Sequence, residues 1–145
     1  MKPSLLALIA AAALARAASA APDAKRVDFA KDVAPIFKAN CVKCHGVDPK
    51  KPKKKPAAKL DLGSEAGALK GGKTGADVVP GDAKNSLLFK LLSGPVVMPK
   101  PGEDENKEIP PMPKVKKGKK WIALKDADIA VIRAWIDQTS QQASK

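Results

Sequence analysis

The stretch NCVKCHG, residues 40–46, contains both cysteines and the single histidine of this 145-residue chain. Cys41, Cys44 and His45 offer sulfur and imidazole nitrogen, the donors that bind soft and borderline metals and redox cofactors. Since all three fall within five consecutive positions, one rigid group can engage them together. The chemistry of the chain is therefore expected to centre on these five positions.

The number and spacing of these side chains distinguish between the kinds of site that use cysteine and histidine. A structural zinc site needs four ligands, and three donors this close in sequence do not complete a tetrahedron without distant carboxylates. A thioredoxin-like C-x-x-C needs a βαβ setting, which is missing, and a nucleophilic cysteine normally takes its histidine base from a separate part of the chain. A disulfide between Cys41 and Cys44 suits an oxidising compartment, but it leaves His45 unexplained.

Covalent attachment of c-type haem explains all three side chains, because C-x-x-C-H is the motif of that linkage. Thiols at i and i+3 of a helical turn each add to one vinyl group, and the adjacent imidazole ligates the iron. We predict one haem c per chain, with thioethers at Cys41 and Cys44 and with His45 as the proximal ligand.

Methionine is the expected sixth ligand, because the chain has no second histidine and a thioether favours the reduced iron. Met98 and Met112 both precede a proline in a proline-rich loop, and proline stiffens the backbone beside each sulfur. We predict Met112, which lies in the rigid run 110–113 nearer the last helix, and keep Met98 as the alternative.

The first 20 residues have the organisation of a secretory signal: an early lysine, an apolar run over residues 5–15 and an A-x-A-like site at 18–20. The run is shorter than the roughly 20 residues that a membrane span needs. A buried N-terminal helix is the alternative. We expect export to the periplasm and no transmembrane segment after cleavage.

Lysines concentrate in residues 49–59 and 114–120 and contribute to a formal net charge of +12. Nucleic acid is disfavoured as a partner, because export is expected and no aromatic residues alternate with the lysines for base stacking. Solvated loops are the simplest explanation, and a docking face for an acidic protein or an anionic membrane surface is the functional one. We predict acidic redox partner proteins and a monomeric chain.

Apolar periodicity predicts three helices: one from about Val33 into the cysteines, one within residues 82–94 and one within 124–141. The expected caps are Asp28 or Asp32, Asp82 or Asn85, and Asp126. Gly94 should end the second helix. The first and last helices are expected to cross.

The segments between these helices are rich in lysine, proline and glycine and show no strand pattern. We predict an all-α domain over residues 27–138, whose long loops wrap around the covalent haem, and a polar tail at 139–145. Three leucines of the first loop are expected to point inward: Leu60, Leu62 and Leu69.

Five stretches resemble, in this order, planctomycete-type cytochrome C domains: DFAKDVAPIFKANCVKCHG, LDLGSEAGALKGG, VVPGDAKNSLLFKLLSG, PPMPKVKKGKK and LKDADIAVIRAWIDQ. The resemblance covers about Val27 to Gln138. It implies a single-haem, class I-like cytochrome fold with Cys41, Cys44 and His45 in the roles given above. It also implies a distal methionine from an M-P motif before the last helix.

These observations predict a periplasmic monohaem c-type cytochrome that carries single electrons between proteins and performs no substrate chemistry. The alternative is a haem enzyme or small-ligand sensor, in which neither methionine reaches the iron and the sixth position is open. The absence of a second histidine weakens the peroxidase version of this alternative, because no distal acid-base group is supplied.

Overall fold

A computed structural model of the chain describes residues 26–51, 54–99, 106–115 and 118–141. The predicted signal peptide and the last four residues of the predicted tail lie outside the described residues. In the described part, the chain is mostly helical and contains one two-stranded antiparallel sheet. None of the helices found there combines the length and apolarity that crossing a membrane requires.

The described residues form five α-helices and two strands. The helices are α1 (Ala34–Asn40), α2 (Val42–His45), α3 (Glu65–Lys70), α4 (Leu87–Ser93) and α5 (Asp126–Gln138). The strands are β1 (Val96–Pro99) and β2 (Asn106–Ile109). Short helical turns lie at Phe29–Val33, Ala57–Lys59 and Thr139–Gln141. The predicted helical class is confirmed, with the addition of one small sheet.

The first predicted helix is present as α1, and the helical turn Phe29–Val33 that leads into it begins at the expected cap, Asp28. Asp28 accepts a hydrogen bond from the Lys31 N–H, and its own N–H donates to Asp32, each at 2.8 Å. Both candidate caps are therefore used, in a reciprocal arrangement. Pro35 lies in the first turn of α1, where its missing N–H removes no helical hydrogen bond. Cys41 marks the break between α1 and α2.

The two later helices differ from the prediction at their N-termini. Asp82 accepts hydrogen bonds from the backbone and side-chain amides of Asn85, which fixes a turn ahead of α4, and the helix ends at Gly94 as predicted. Asp126 is the first residue of α5 rather than its cap, since Lys125 occupies the N-cap position without a side-chain hydrogen bond. A carboxylate in the first turn still interacts favourably with the helix dipole.

Helix α3 and the two strands were not predicted. Helix α3 lies in a segment expected to be irregular, and the Ser64 hydroxyl caps it by accepting the Gly67 N–H at 3.1 Å. Strands β1 and β2 form within the proline-rich loop, with Val96 opposite Ile109. Prolines stand before β1, at its last position and after β2, so they bound the pair and leave its centre free to form hydrogen bonds.

The first and last helices pack together around an aromatic cluster, which confirms that they are in contact. The ring centroids of Phe29, Phe37 and Trp135 lie 5.3 to 6.1 Å apart. The Trp135 indole N–H donates to Glu65 at 3.0 Å, which ties α3 to α5. The most deeply buried apolar residues of the two helical regions are Val33, Phe37, Ile132, Trp135 and Ile136.

Candidate cofactor-binding site

A cavity of about 350 Å³ lies between the cysteine-bearing turn, the segment that follows it and α4. This volume is within the range of ligand-binding pockets. Its lining is dominated by leucines: Leu60, Leu62, Leu87, Leu88, Leu91 and Leu92. Of the leucines expected to point inward, Leu60 and Leu62 are buried in this wall, whereas Leu69 packs at the edge of the main core. The cavity therefore suits a largely apolar guest.

Cys41, Cys44 and His45 all line this cavity. The backbone N–H groups of Cys44 and His45 both donate to the Cys41 carbonyl, at 3.0 and 2.8 Å. This single helical turn brings the two thiols and the imidazole to one wall. Both cysteines are free thiols, Cys41 half-buried and Cys44 exposed.

The two thiols have different environments. Burial, and to a smaller extent the neighbouring Cys44, raise the pKa of Cys41 from 9.0 to about 11. Cys41 is thus held as the thiol at neutral pH, and it packs against the hydrophobic core. Because the thiolate is the nucleophile, Cys44 is the more accessible of the two for reaction from solvent.

The His45 ring is oriented by a backbone carbonyl. Its Nδ1 atom lies 3.0 Å from the Ala57 oxygen. In the tautomer protonated on Nδ1, the ring donates this hydrogen bond and leaves the Nε2 lone pair available to a metal. A partner of this kind fixes the tautomer and raises the basicity of the ligating nitrogen.

The structure separates the two candidate methionines. Met112 lines the same cavity as the cysteines and the histidine, and its N–H donates to the Leu91 carbonyl of α4 at 2.8 Å. Met98 lies in β1 opposite Lys107, outside the residues that line the cavity. The predicted first choice is therefore brought together with His45, and the alternative is not.

Sequence reasoning missed one polar side chain in the cavity wall. Asp77 is only 5% exposed and lines the cavity together with Thr74. Burial raises the pKa of Asp77, while the hydrogen bond from Thr74 and the nearby Gly72 N–H oppose the rise. Nothing in the local sequence signals this burial, because it results from how the loop packs against α4.

The donors of this site fit haem c. In the part of the chain that the structure describes, no group of three or more His, Cys, Asp or Glu residues could hold a bare metal ion. The cavity instead has two thiols, one imidazole and one thioether distributed over a leucine-rich wall. Donors arranged in this way suit an apolar macrocycle that is attached through sulfur and carries its own iron.

Comparison with protein families supports the same cofactor. The family model described as Planctomycete cytochrome C matches residues 41–102, beginning at Cys41 and extending through α4 and β1. The resemblance predicted from the sequence is confirmed over this range, and it implies a c-type cytochrome domain that binds haem c. Met112 and α5 lie beyond the matched residues. No curated protein and no solved structure gave a match.

Proposed function

We propose that this protein is a periplasmic monohaem c-type cytochrome that carries single electrons between protein partners. The observation that carries the proposal is the convergence of Cys41, Cys44, His45 and Met112 on one leucine-lined cavity. The family match over residues 41–102 supports it, because c-type cytochromes usually act as electron carriers outside the cytoplasm.

Each of these residues has a separate task in the proposal. Cys41 and Cys44 would hold the haem through thioether bonds, and His45 Nε2 and the Met112 sulfur would ligate its iron. The bound haem supplies a one-electron redox centre. The leucines of the wall exclude water from it, and a dry environment of this kind favours the reduced iron.

The distribution of lysines supports partner proteins with acidic docking faces. Lys114 lies at the cavity wall and is exposed, and Lys43 is exposed between the two cysteines. These charges surround the place where an electron would enter or leave. They would steer an acidic partner toward the haem, and added salt would slow the encounter by screening.

The test is the visible spectrum of protein exported with a cytochrome c maturation system. We expect a low-spin spectrum with the weak far-red sulfur-to-iron band in the wild type. Met112→Ala should lose the band. Met98→Ala is the matched control and should retain it.

Two outcomes would contradict the proposal in different ways. Loss of the band in Met98→Ala alone would make Met98 the distal ligand and overturn the assignment of Met112. A high-spin wild-type spectrum that shifts on adding cyanide or carbon monoxide would mean an open sixth position. The haem enzyme or sensor would then replace the electron carrier.

A further inference from the structure

Asp77 is a buried carboxyl group in a cavity wall that is otherwise mostly apolar. Its side chain accepts a hydrogen bond from the Thr74 hydroxyl at 3.2 Å. The Gly72 N–H, which donates to the Gly75 carbonyl at 2.9 Å, lies beside the carboxylate and stabilises its charged form. Its own carbonyl accepts the Leu88 N–H in the first turn of α4. A buried carboxyl group is costly unless its hydrogen bonds are satisfied, so this arrangement fixes the loop from Gly72 to Asp77 against α4.

The same loop is fitted closely against the turn Ala57–Lys59. The Lys73 N–H donates to the Ala58 carbonyl at 2.6 Å. A Cβ atom placed on Gly72 would lie 2.7 Å from the Ala58 oxygen and 2.9 Å from an Asp77 carboxylate oxygen. Only glycine allows the loop backbone to approach both groups this closely.

The turn Ala57–Lys59 needs this support, because its backbone is strained. Ala58 and Lys59 have φ angles of 52° and 58°, in the left-handed region that residues with a Cβ rarely adopt. Such conformations are unfavourable for residues with a Cβ and persist where the surrounding structure imposes them. The turn presents the Ala57 carbonyl to His45 Nδ1.

We propose that Asp77 is a positioning residue for the proximal ligand. Through the Gly72–Lys73 backbone and the Ala57–Lys59 turn, it holds the Ala57 carbonyl against Nδ1 of His45. This inference rests on the proposed function, since it assigns His45 to the iron. Loss of the Nδ1 hydrogen bond makes the imidazole a weaker donor, which destabilises the oxidised iron and raises the reduction potential.

The single histidine makes the test direct, because selective ¹⁵N labelling of histidine gives one ring to follow. Two quantities are measured on the haem-loaded protein. One is the reduction potential. The other is the rate at which the Nδ1 proton of His45 exchanges with solvent in the reduced state.

Asp77→Ala and Gly72→Ala are the two informative variants, because the first removes the carboxylate and the second leaves it in place but forces the loop away from Ala58. We expect both to raise the reduction potential. We also expect both to speed exchange of the Nδ1 proton by about tenfold, the equivalent of losing a typical hydrogen bond. Gly94→Ala is the matched control, because a Cβ atom there meets nothing within 4 Å, and it should change neither quantity.

Asp77→Asn separates the charge of the residue from its positioning. The amide oxygen can still accept the Thr74 hydroxyl, so the loop should keep its place and the Nδ1 exchange rate should stay near the wild-type value even if the reduction potential changes. Exchange as fast as in Asp77→Ala would show that the charge, and not the position of the loop, governs His45, and would overturn the proposal.

The proposal also fails if Asp77→Ala and Gly72→Ala incorporate haem normally and show wild-type exchange rates and potentials. In that case the electron-carrier function stands and only the positioning role is lost. A wild-type protein that binds no haem, or binds it without a low-spin spectrum, would instead overturn the proposed function itself.

Discussion

Two regions of the molecule bury apolar side chains in different ways. Between α1 and α5, Phe37 and Trp135 are at most 1% exposed and contact each other directly. Between the cysteine-bearing turn and α4, leucines face a cavity of about 350 Å³. In the first region the side chains fill the interior without a ligand. In the second region they line a cavity that an apolar ligand could fill. Substitutions in the two regions should therefore affect different properties of the protein.

The largest effect is expected at Trp135. Trp135→Ala removes the most deeply packed aromatic ring and its hydrogen bond to Glu65. We expect a loss of about 3–5 kcal/mol in the free energy of unfolding, typical of aromatic truncation in a closed core. Denaturant unfolding of the haem-loaded protein measures it. Ile122→Ala, at a side chain that is 77% exposed, is the control and should stay within about 0.5 kcal/mol.

If Trp135→Ala lowered the free energy of unfolding by less than about 1 kcal/mol, close to the effect of a surface substitution, the contrast between the two regions would be wrong. It would mean that the aromatic cluster does not stabilise the fold independently of the cofactor. The stability of the protein would then depend chiefly on the cofactor.

Both cysteines line the cavity, but only Cys41 also packs against the closed core. Cys41 packs against the core and its pKa is raised to about 11, whereas Cys44 is exposed. In the haem-free chain at pH 8, iodoacetamide should label Cys44 first. A rise of two pH units in the pKa of Cys41 lowers its thiolate fraction by about a hundredfold. Peptide mass spectrometry at timed intervals measures the two rates.

The control for this experiment is the same reaction in urea, where the difference should vanish because burial is lost. Equal rates in native buffer would contradict the prediction. They would show that the region around Cys41 folds only once the haem is attached.

A smaller effect on stability, with a distinct effect on redox properties, is expected in the cavity wall. Leu87 is partly exposed and lines the cavity. Leu87→Ala should change the free energy of unfolding by only about 1 kcal/mol, but it should lower the reduction potential by admitting water to the site. Voltammetry and denaturant unfolding of the same sample separate the two effects. A large loss of stability with an unchanged potential would place Leu87 in the closed core instead.

Much of this comparison could be predicted from the sequence. The C-x-x-C-H motif indicated the site, and helical spacing indicated the two helices that carry Phe37 and Trp135. The inward positions of Leu60 and Leu62 were predicted because leucines are the largest apolar side chains of a loop rich in lysine, proline and glycine. These features are local, so they can be predicted from residue type and spacing.

The remaining features depend on tertiary packing. The β1–β2 pair was missed because prolines dominate its loop, although they stand at the ends of the paired residues. Asp77 has no local signal of burial, and Ala57 contributes a backbone carbonyl, which any residue possesses. Met98 and Met112 share the same M-P pattern. The sequence favoured Met112 only through its proline run near the last helix, and the fold is what places Met112, and not Met98, in the cavity wall.

The smallest expected effect is a pH dependence that differs in sign between two aspartates. Burial in the cavity wall raises the pKa of Asp77 above its ordinary 3.8. Hydrogen bonds from the Asn85 side chain and backbone lower the pKa of Asp82, in the turn ahead of α4, below 3.8. The folded state therefore binds the proton of Asp77 more tightly than the unfolded chain does, and the proton of Asp82 less tightly.

The sign of each contribution to stability follows from these directions. The contribution of Asp77 is complete below pH 3.8 and is lost as the pH rises through its folded pKa. Asp77→Asn does not titrate, so this variant should gain stability relative to the wild type as the pH increases above 3.8. The contribution of Asp82 is complete above 3.8 and is lost as the pH falls through its folded pKa, so Asp82→Asn should gain relative to the wild type on acidification.

Denaturant unfolding of the wild type and both variants between about pH 2.5 and 6.5 measures these differences. This range spans the ordinary carboxyl pKa values. Changes common to all three proteins, such as protonation of other carboxylates, cancel in the comparison. If Asp77→Asn followed the trend of Asp82→Asn, the cavity wall around Asp77 would be as well hydrated as the protein surface. Asp77 would then not differ from Asp82 in hydration, and the cavity wall would not be dry at Asp77.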